Sequence, residues 1–153
     1  MKKLLFWCLA LSGASMAWAT DSSHVEKAIA KLEQDCNAAY AANDLDKYFS
    51  CYAEDMNAIF YNARTTLPEY RKFWTESVHA GNPVVSVKIS DLIVRVSPAG
   101  DTAVASYQLD VRYGHPQGKT SDEHAFETDV WVRRGEAWKM IHAHYALAVA
   151  PPS

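Results

Sequence analysis

TDVWVRRGEAWKMIHAHY, running from Thr128 to Tyr145, reads as two strands and the turn between them. Arg134-Gly135-Glu136 is the turn, with strands over His124–Arg133 and Trp138–Leu147. Side chains two apart on a strand share a face, so Asp129 goes with Trp131, and His142 with His144. Upstream, Thr102–Tyr113 is a long strand closed by the loop Gly114–Gly118. Before it, Val85–Val96 is rich in β-branched residues and ends at the turn Pro98-Ala99-Gly100-Asp101. Four strands joined by short turns predict an antiparallel meander.

Ahead of Pro83 the periodicity is helical. Val25, Ile29, Leu32, Cys36 and Tyr40 recur at steps of three or four, predicting a helix from Ser23 to Ala42 with a capping box of Ser23 and Glu26. Asn43-Asp44 breaks it, and Asp44 caps a short second helix carrying Leu45, Tyr48, Phe49 and Tyr52. A brief strand is expected at Asn57–Tyr61. Thr66, Pro68 and Glu69 then open a third helix that reaches about Ala80. Helices first and strands afterwards predict an α+β domain.

The first residues read as an export signal. Lys2 and Lys3 precede an apolar run from Leu4 to Met16, and Ala17-Trp18-Ala19 supplies the small-x-small cleavage pattern. Residues 1–19 are thus the expected signal peptide and 20–153 one domain, with a mature N-terminus at Thr20 and a periplasmic or secreted location. Cleavage takes Lys2 and Lys3 away, leaving 13 basic against 18 acidic residues. Such a surface repels nucleic acid and anionic membranes, whose recognition needs clustered Lys and Arg. Of the three cysteines, Cys8 leaves with the signal. Cys36 and Cys51 lie seven residues either side of Asn43-Asp44, so a helical hairpin brings them level. They are either a disulfide or two small packed hydrophobes.

Two stretches resemble a known superfamily. Ala39–Tyr52 with Ala53-Glu54-Asp55 is similar to the opening of ketosteroid isomerase-like and SnoaL-like proteins. Thr128–Tyr145 resembles the closing hairpin of SnoaL-like domains and of the calcium/calmodulin-dependent protein kinase II association domain. The chain is accordingly read as a member of the nuclear transport factor 2-like superfamily. That resemblance implies a cone-shaped barrel, a curved antiparallel sheet packed on three N-terminal helices, with a pocket between them and a homodimer formed through the sheet. It also implies no cofactor. The departures are informative: Phe60 stands where ketosteroid isomerases place their Asp base, and Cys36 where they place a Tyr donor. Only Asp129 matches their second donor. Leu109, Asp129 and Tyr145 replace arginines of the kinase association domain.

The residues that could do chemistry follow from face and resemblance together. His142 or His144 as base with Asp129 as orienter or protonated donor would make a proton-transfer site; the same three could be a hydrogen-bonded cluster joining two strands. A metal held by His142, His144 and Asp129 or His124 has no supporting motif, so none is expected. Tyr40, Tyr52, Phe60, Trp74, Tyr107 and Trp131 are expected to line the pocket, with Tyr48 and Tyr113 also inward. The expected ligand is small and mainly apolar. Phosphate loops and nucleophile elbows are absent from the sequence. Two functions stand open: an isomerase- or cyclase-type enzyme, and a non-catalytic binding or assembly module.

Overall fold

A computed structural model describes residues 14–148 of the chain. Lys2, Lys3 and most of the apolar run of the expected export signal therefore lie outside the described residues. Helix α1 (Ala14–Ala41) starts earlier than its Ser23-Glu26 box suggested. No Gly or Pro interrupts the backbone from Ala14 onward, so a capping sequence inside it sets no boundary. The apolar stripe of α1 is buried at Ile29, Cys36, Ala39 and Tyr40. Asn43 ends the helix in the left-handed conformation that Asn tolerates, at φ 55°. Its amide then brackets Val84, donating to the carbonyl at 2.8 Å and accepting from the N–H at 2.9 Å. The turn is thereby tied to the sheet.

Helix α2 (Leu45–Ser50) is capped by Asp44, whose side chain accepts from the N–H of Lys47 at 3.2 Å. It stops before Tyr52, because β1 (Tyr52–Phe60) begins there. β2 (Ala63–Thr66) folds back on β1, and α3 (Leu67–His79) follows. The Thr66-Glu69 box forms: Glu69 accepts from the Thr66 N–H and hydroxyl, each at 2.8 Å. These bonds hold the Glu69 carboxyl below its usual range. β3 (Val84–Val96), β4 (Thr102–Gly114), β5 (Thr120–Arg134) and β6 (Ala137–Leu147) make the expected meander.

The sheet order is β2-β1-β6-β5-β4-β3, and β1 runs parallel to β6. The sheet is thus mixed and open at β2 and β3, rather than wholly antiparallel. The fold is α+β, with three helices packed on one face of the sheet. No helix among the described residues is long and apolar enough to cross a membrane.

Cys36 of α1 and Cys51, the cap of α2, form a disulfide with Cα atoms 6.4 Å apart. Closing a loop of 15 residues, it stabilises the fold by about 3 kcal/mol in the chain-entropy account. Protein from an oxidising compartment should gain the mass of two hydrogens on reduction, and Cys36→Ser with Cys51→Ser should lower the unfolding free energy by about that amount. Unchanged mass on reduction would leave the pair as packing alone.

Candidate functional site

Alternation on β5 turns Ala125, Glu127, Asp129 and Trp131 inward, toward the helices. On β4 the inward set includes Ala103, Ala105, Tyr107 and Leu109. Asp129 is flanked across the sheet by Ala105 and Ala143, and those short side chains leave room above it. Glu33 fills that room from α1, one turn after Ile29 on the buried stripe. Both Glu33 and Asp129 are 0 % exposed, and Glu127 is 8 % exposed. Three carboxyl groups therefore meet under the helices.

Their hydrogen bonds are few. Trp131 donates its indole N–H to Glu33 Oε1 at 2.5 Å, and the Tyr107 hydroxyl donates to Asp129 Oδ2 at 2.9 Å. Asn37 donates to the Tyr107 oxygen at 3.4 Å, completing that hydroxyl. Glu33 Oε2 and Asp129 Oδ1 find no donor. The two carboxyls nonetheless lie within hydrogen-bonding reach of each other, which one shared proton would satisfy. Burial pushes Glu33 up to about 8, and the Trp131 bond opposes that rise. Burial also raises Asp129 well above the carboxylate range, reinforced by the negative charge of Glu33. Glu127 is raised by burial and then by Asp129.

Above this floor a cavity of about 520 Å³ opens between the sheet, α1 and α3. Glu33, Glu127, Tyr107 and Leu109 belong to its lining, while Asp129 and Trp131 lie beneath it. The walls are rings: Tyr40, Tyr48, Tyr52, Phe60, Tyr70, Trp74 and Tyr113. Tyr40 stacks on Tyr48 with centroids 4.8 Å apart and meets Trp74 edge-on at 5.0 Å. Tyr52 donates to the Tyr48 oxygen at 2.6 Å, and the Tyr48 and Tyr70 hydroxyls are 2.9 Å apart. Burial raises the hydroxyls of Tyr40, Tyr48, Tyr52 and Tyr107, so they stay neutral and act as hydrogen-bonding groups. At the rim, Glu123 accepts from Tyr61 at 2.5 Å and from Tyr145 at 2.8 Å. Among the described residues, the lining includes two basic side chains, Arg64 and His115. His115 is engaged with Asn82 and Ser121.

His142 and His144 are not part of this site. They pair across the outer face with Val130 and Thr128, and His142 lies 3.0 Å from the Asn57 side-chain oxygen. The cause is a bulge: Trp131 pairs with Met140, but Val130 pairs with His142. Ile141 is the extra residue. Met140 faces the cavity, and had Ile141 taken a regular place in the ladder the alternation would have carried His142 and His144 inward with Met140; bulging that one residue out exchanges the faces. Ala143 and Tyr145 take the inner positions instead. The expected His–Asp pair is thus replaced by a carboxyl cluster around the same Asp129. His124 is also outside, 2.7 Å from Asp110. Among the described residues no group of three or more His, Cys, Asp or Glu is placed to hold a metal ion.

Glu33, Glu127, Asn37 and Tyr70 went unnoticed in the sequence. Glu127 had a signal, since it shares the parity of Asp129 and Trp131. Glu33 had a weaker one, standing four residues after Ile29 and three before Cys36 on the apolar stripe.

A family model for the calcium/calmodulin dependent protein kinase II association domain matches residues 25–148. Among solved structures, a nuclear transport factor 2-like superfamily protein from Salmonella enterica serovar Typhimurium is similar, with a TM-score of 0.74 and 15% identity over 85% of this chain and 95% of that one. An NTF2-like protein of unknown function in nutrient uptake from Rhodospirillum rubrum has a TM-score of 0.70 and 19% identity, covering 79% of this chain and 98% of its own. The CaMKII hub of S. rosetta follows at 0.66 and 21%, covering 80% and 96%. No curated protein matches the chain.

Proposed function

The chain belongs to the calcium/calmodulin-dependent protein kinase II association domain family, and we propose that its cavity binds a small, mainly apolar ligand and moves a proton at its carboxyl floor without a cofactor. The observation that carries this is the meeting of Glu33, Glu127 and Asp129 under a ring-lined cavity. A volume of about 520 Å³ suits a compact ligand of drug-like size. A carboxyl raised to about 8 is present in both protonation states near neutral pH, which suits general acid–base work. Glu33 and Glu127, which reach the cavity, are the exchanging groups. Asp129, held by the Tyr107 hydroxyl, shares its proton with Glu33. The reaction class is isomerisation, cyclisation or dehydration of an apolar substrate.

The protein is further proposed to be exported, with Thr20 as the first mature residue. The Cys36–Cys51 bond supports an oxidising compartment. Native mass spectrometry of protein recovered from the periplasm or medium tests both parts. The expected species begins at Thr20 and holds a non-covalent small molecule, which His142→Ala and His144→Ala keep and Tyr40→Ala loses. A bare mature chain would count against a retained ligand, and an intact Met1 against export.

A second reading is assembly, and one feature favours it. Ile93, Val104 and Phe126 are exposed on the outer face, Phe126 by 53 %. Membership of the association-domain family and likeness to a hub support a homodimer through that sheet face. Sedimentation of the wild type and of Phe126→Glu, expected to be a dimer and a monomer, checks it.

A further inference from the structure

Charge balance in the cavity says what its ligand must bring. Glu127 reaches the lining at 8 % exposure. Its hydrogen-bonding neighbour is the Tyr107 hydroxyl, which has a single proton and gives it to Asp129 Oδ2. The carboxyl of Glu127 therefore competes with Asp129 for one donor and is under-satisfied. Glu33 Oε2, on the same floor, has no donor apart from a proton shared with Asp129. Among the described residues no buried cation compensates the three carboxyls: Arg64 is exposed, and His115 is engaged with Asn82 and Ser121. A buried acceptor left unmade costs far more than one satisfied by an incoming donor.

The walls agree with the floor. Tyr40, Tyr48, Tyr52, Tyr107 and Trp74 present ring faces and edges around the carboxyls. Aromatic faces attract cations, most strongly where water is excluded, and they pack equally well on a flat apolar body. An anionic ligand would oppose ionisation of the floor carboxyls, which burial already disfavours, whereas a cation favours it. A neutral ligand would leave Glu127 short of a donor unless it brought a hydroxyl.

We infer that the ligand of this cavity is an organic cation, an amine or guanidine on an apolar body, with its N–H groups on Glu127 and Glu33 and its body among the tyrosines. This rests on the reading of the cavity as a ligand site and adds the charge of what enters it.

Calorimetric titration of the mature, disulfide-bonded protein with three probes of one shape tests it: naphthylethylamine, naphthylethanol and naphthylacetate. The amine should bind at least about tenfold more tightly than the alcohol, and the acetate most weakly. Glu127→Gln, an isosteric change, should abolish the preference for the amine over the alcohol. Glu33→Gln should reduce the preference in part. Equal binding of amine and alcohol, or tighter binding of the acetate, overturns the cation inference and leaves the ligand cavity standing. If none of the three binds, the cavity reading itself fails and this inference with it. An amine preference that persists in Glu127→Gln and in Glu33→Gln places the cation elsewhere and also overturns it.

Discussion

Unfolding free energy should fall by on the order of 5 kcal/mol as pH rises from about 4.5 to about 8, on account of Glu33 alone. Burial raises this carboxyl from 4.5 to about 8 in the folded protein, so in that window the native state holds a proton that the unfolded chain has released. Stability follows the difference in bound protons. It is fully present below the unfolded value and lost as pH climbs through the folded one. Asp129 and Glu127 are raised for the same reason and push in the same direction. Asp122 and Glu69 are lowered and titrate below this window. Urea unfolding of the disulfide-bonded protein at pH 5 and pH 8.5 measures the fall.

Asp129→Asn gives the check on cause. An amide there cannot share a proton with Glu33, but its N–H₂ can donate permanently to Glu33 Oε2. Wild type and variant should be close at pH 5, and the variant should be the more stable by about 2 kcal/mol at pH 8.5. A wild-type curve flat across the window would mean that the three carboxyls are not buried together.

Much of this architecture is legible locally, and the parts that are not share a cause. Turn chemistry and β-branched runs place β3 to β6 within a few residues, because each boundary has its own Pro, Gly or Asp. The Thr66-Glu69 box announces α3 for the same reason. Asn43-Asp44 announces the helical hairpin that brings Cys36 level with Cys51. What local pattern cannot supply is pairing at a distance. Nothing near Tyr52 says that β1 will lie parallel to β6, and so Tyr52 reads as the last residue of a helix line. Ile141 is the sharper case. A bulge of a branched residue has no sequence mark, yet it decides which half of Met140–Tyr145 meets the cavity. Glu33 was hidden by its charge: a glutamate on a helix reads as solvated, and only the alanines opposite Asp129 create the space it enters.

Trp131→Ala should lower the unfolding free energy by about 4 kcal/mol, among the largest costs of any single change in the chain. The ring is 0 % exposed at the centre of the sheet, between Ala103 and Met140, and neither neighbour can fill the space it leaves. Volume is only part of the loss. The indole N–H is the donor that holds Glu33 Oε1, and it is the bond that keeps the Glu33 carboxyl from rising further. Trp131→Phe separates the two effects, since it keeps most of the ring and removes the donor. At pH 5 Glu33 is protonated and needs little from that donor, so Trp131→Phe should cost about 1–2 kcal/mol, chiefly from packing. At pH 8.5 the native carboxyl is pressed to ionise, and an ionised acceptor without its donor is the costlier state. The cost there should exceed the pH 5 cost by a further 1–2 kcal/mol or so, read as the difference between two urea midpoints at constant m. Equal costs at the two pH values would mean that Trp131 serves as filling alone, and that the carboxyl cluster does not depend on it.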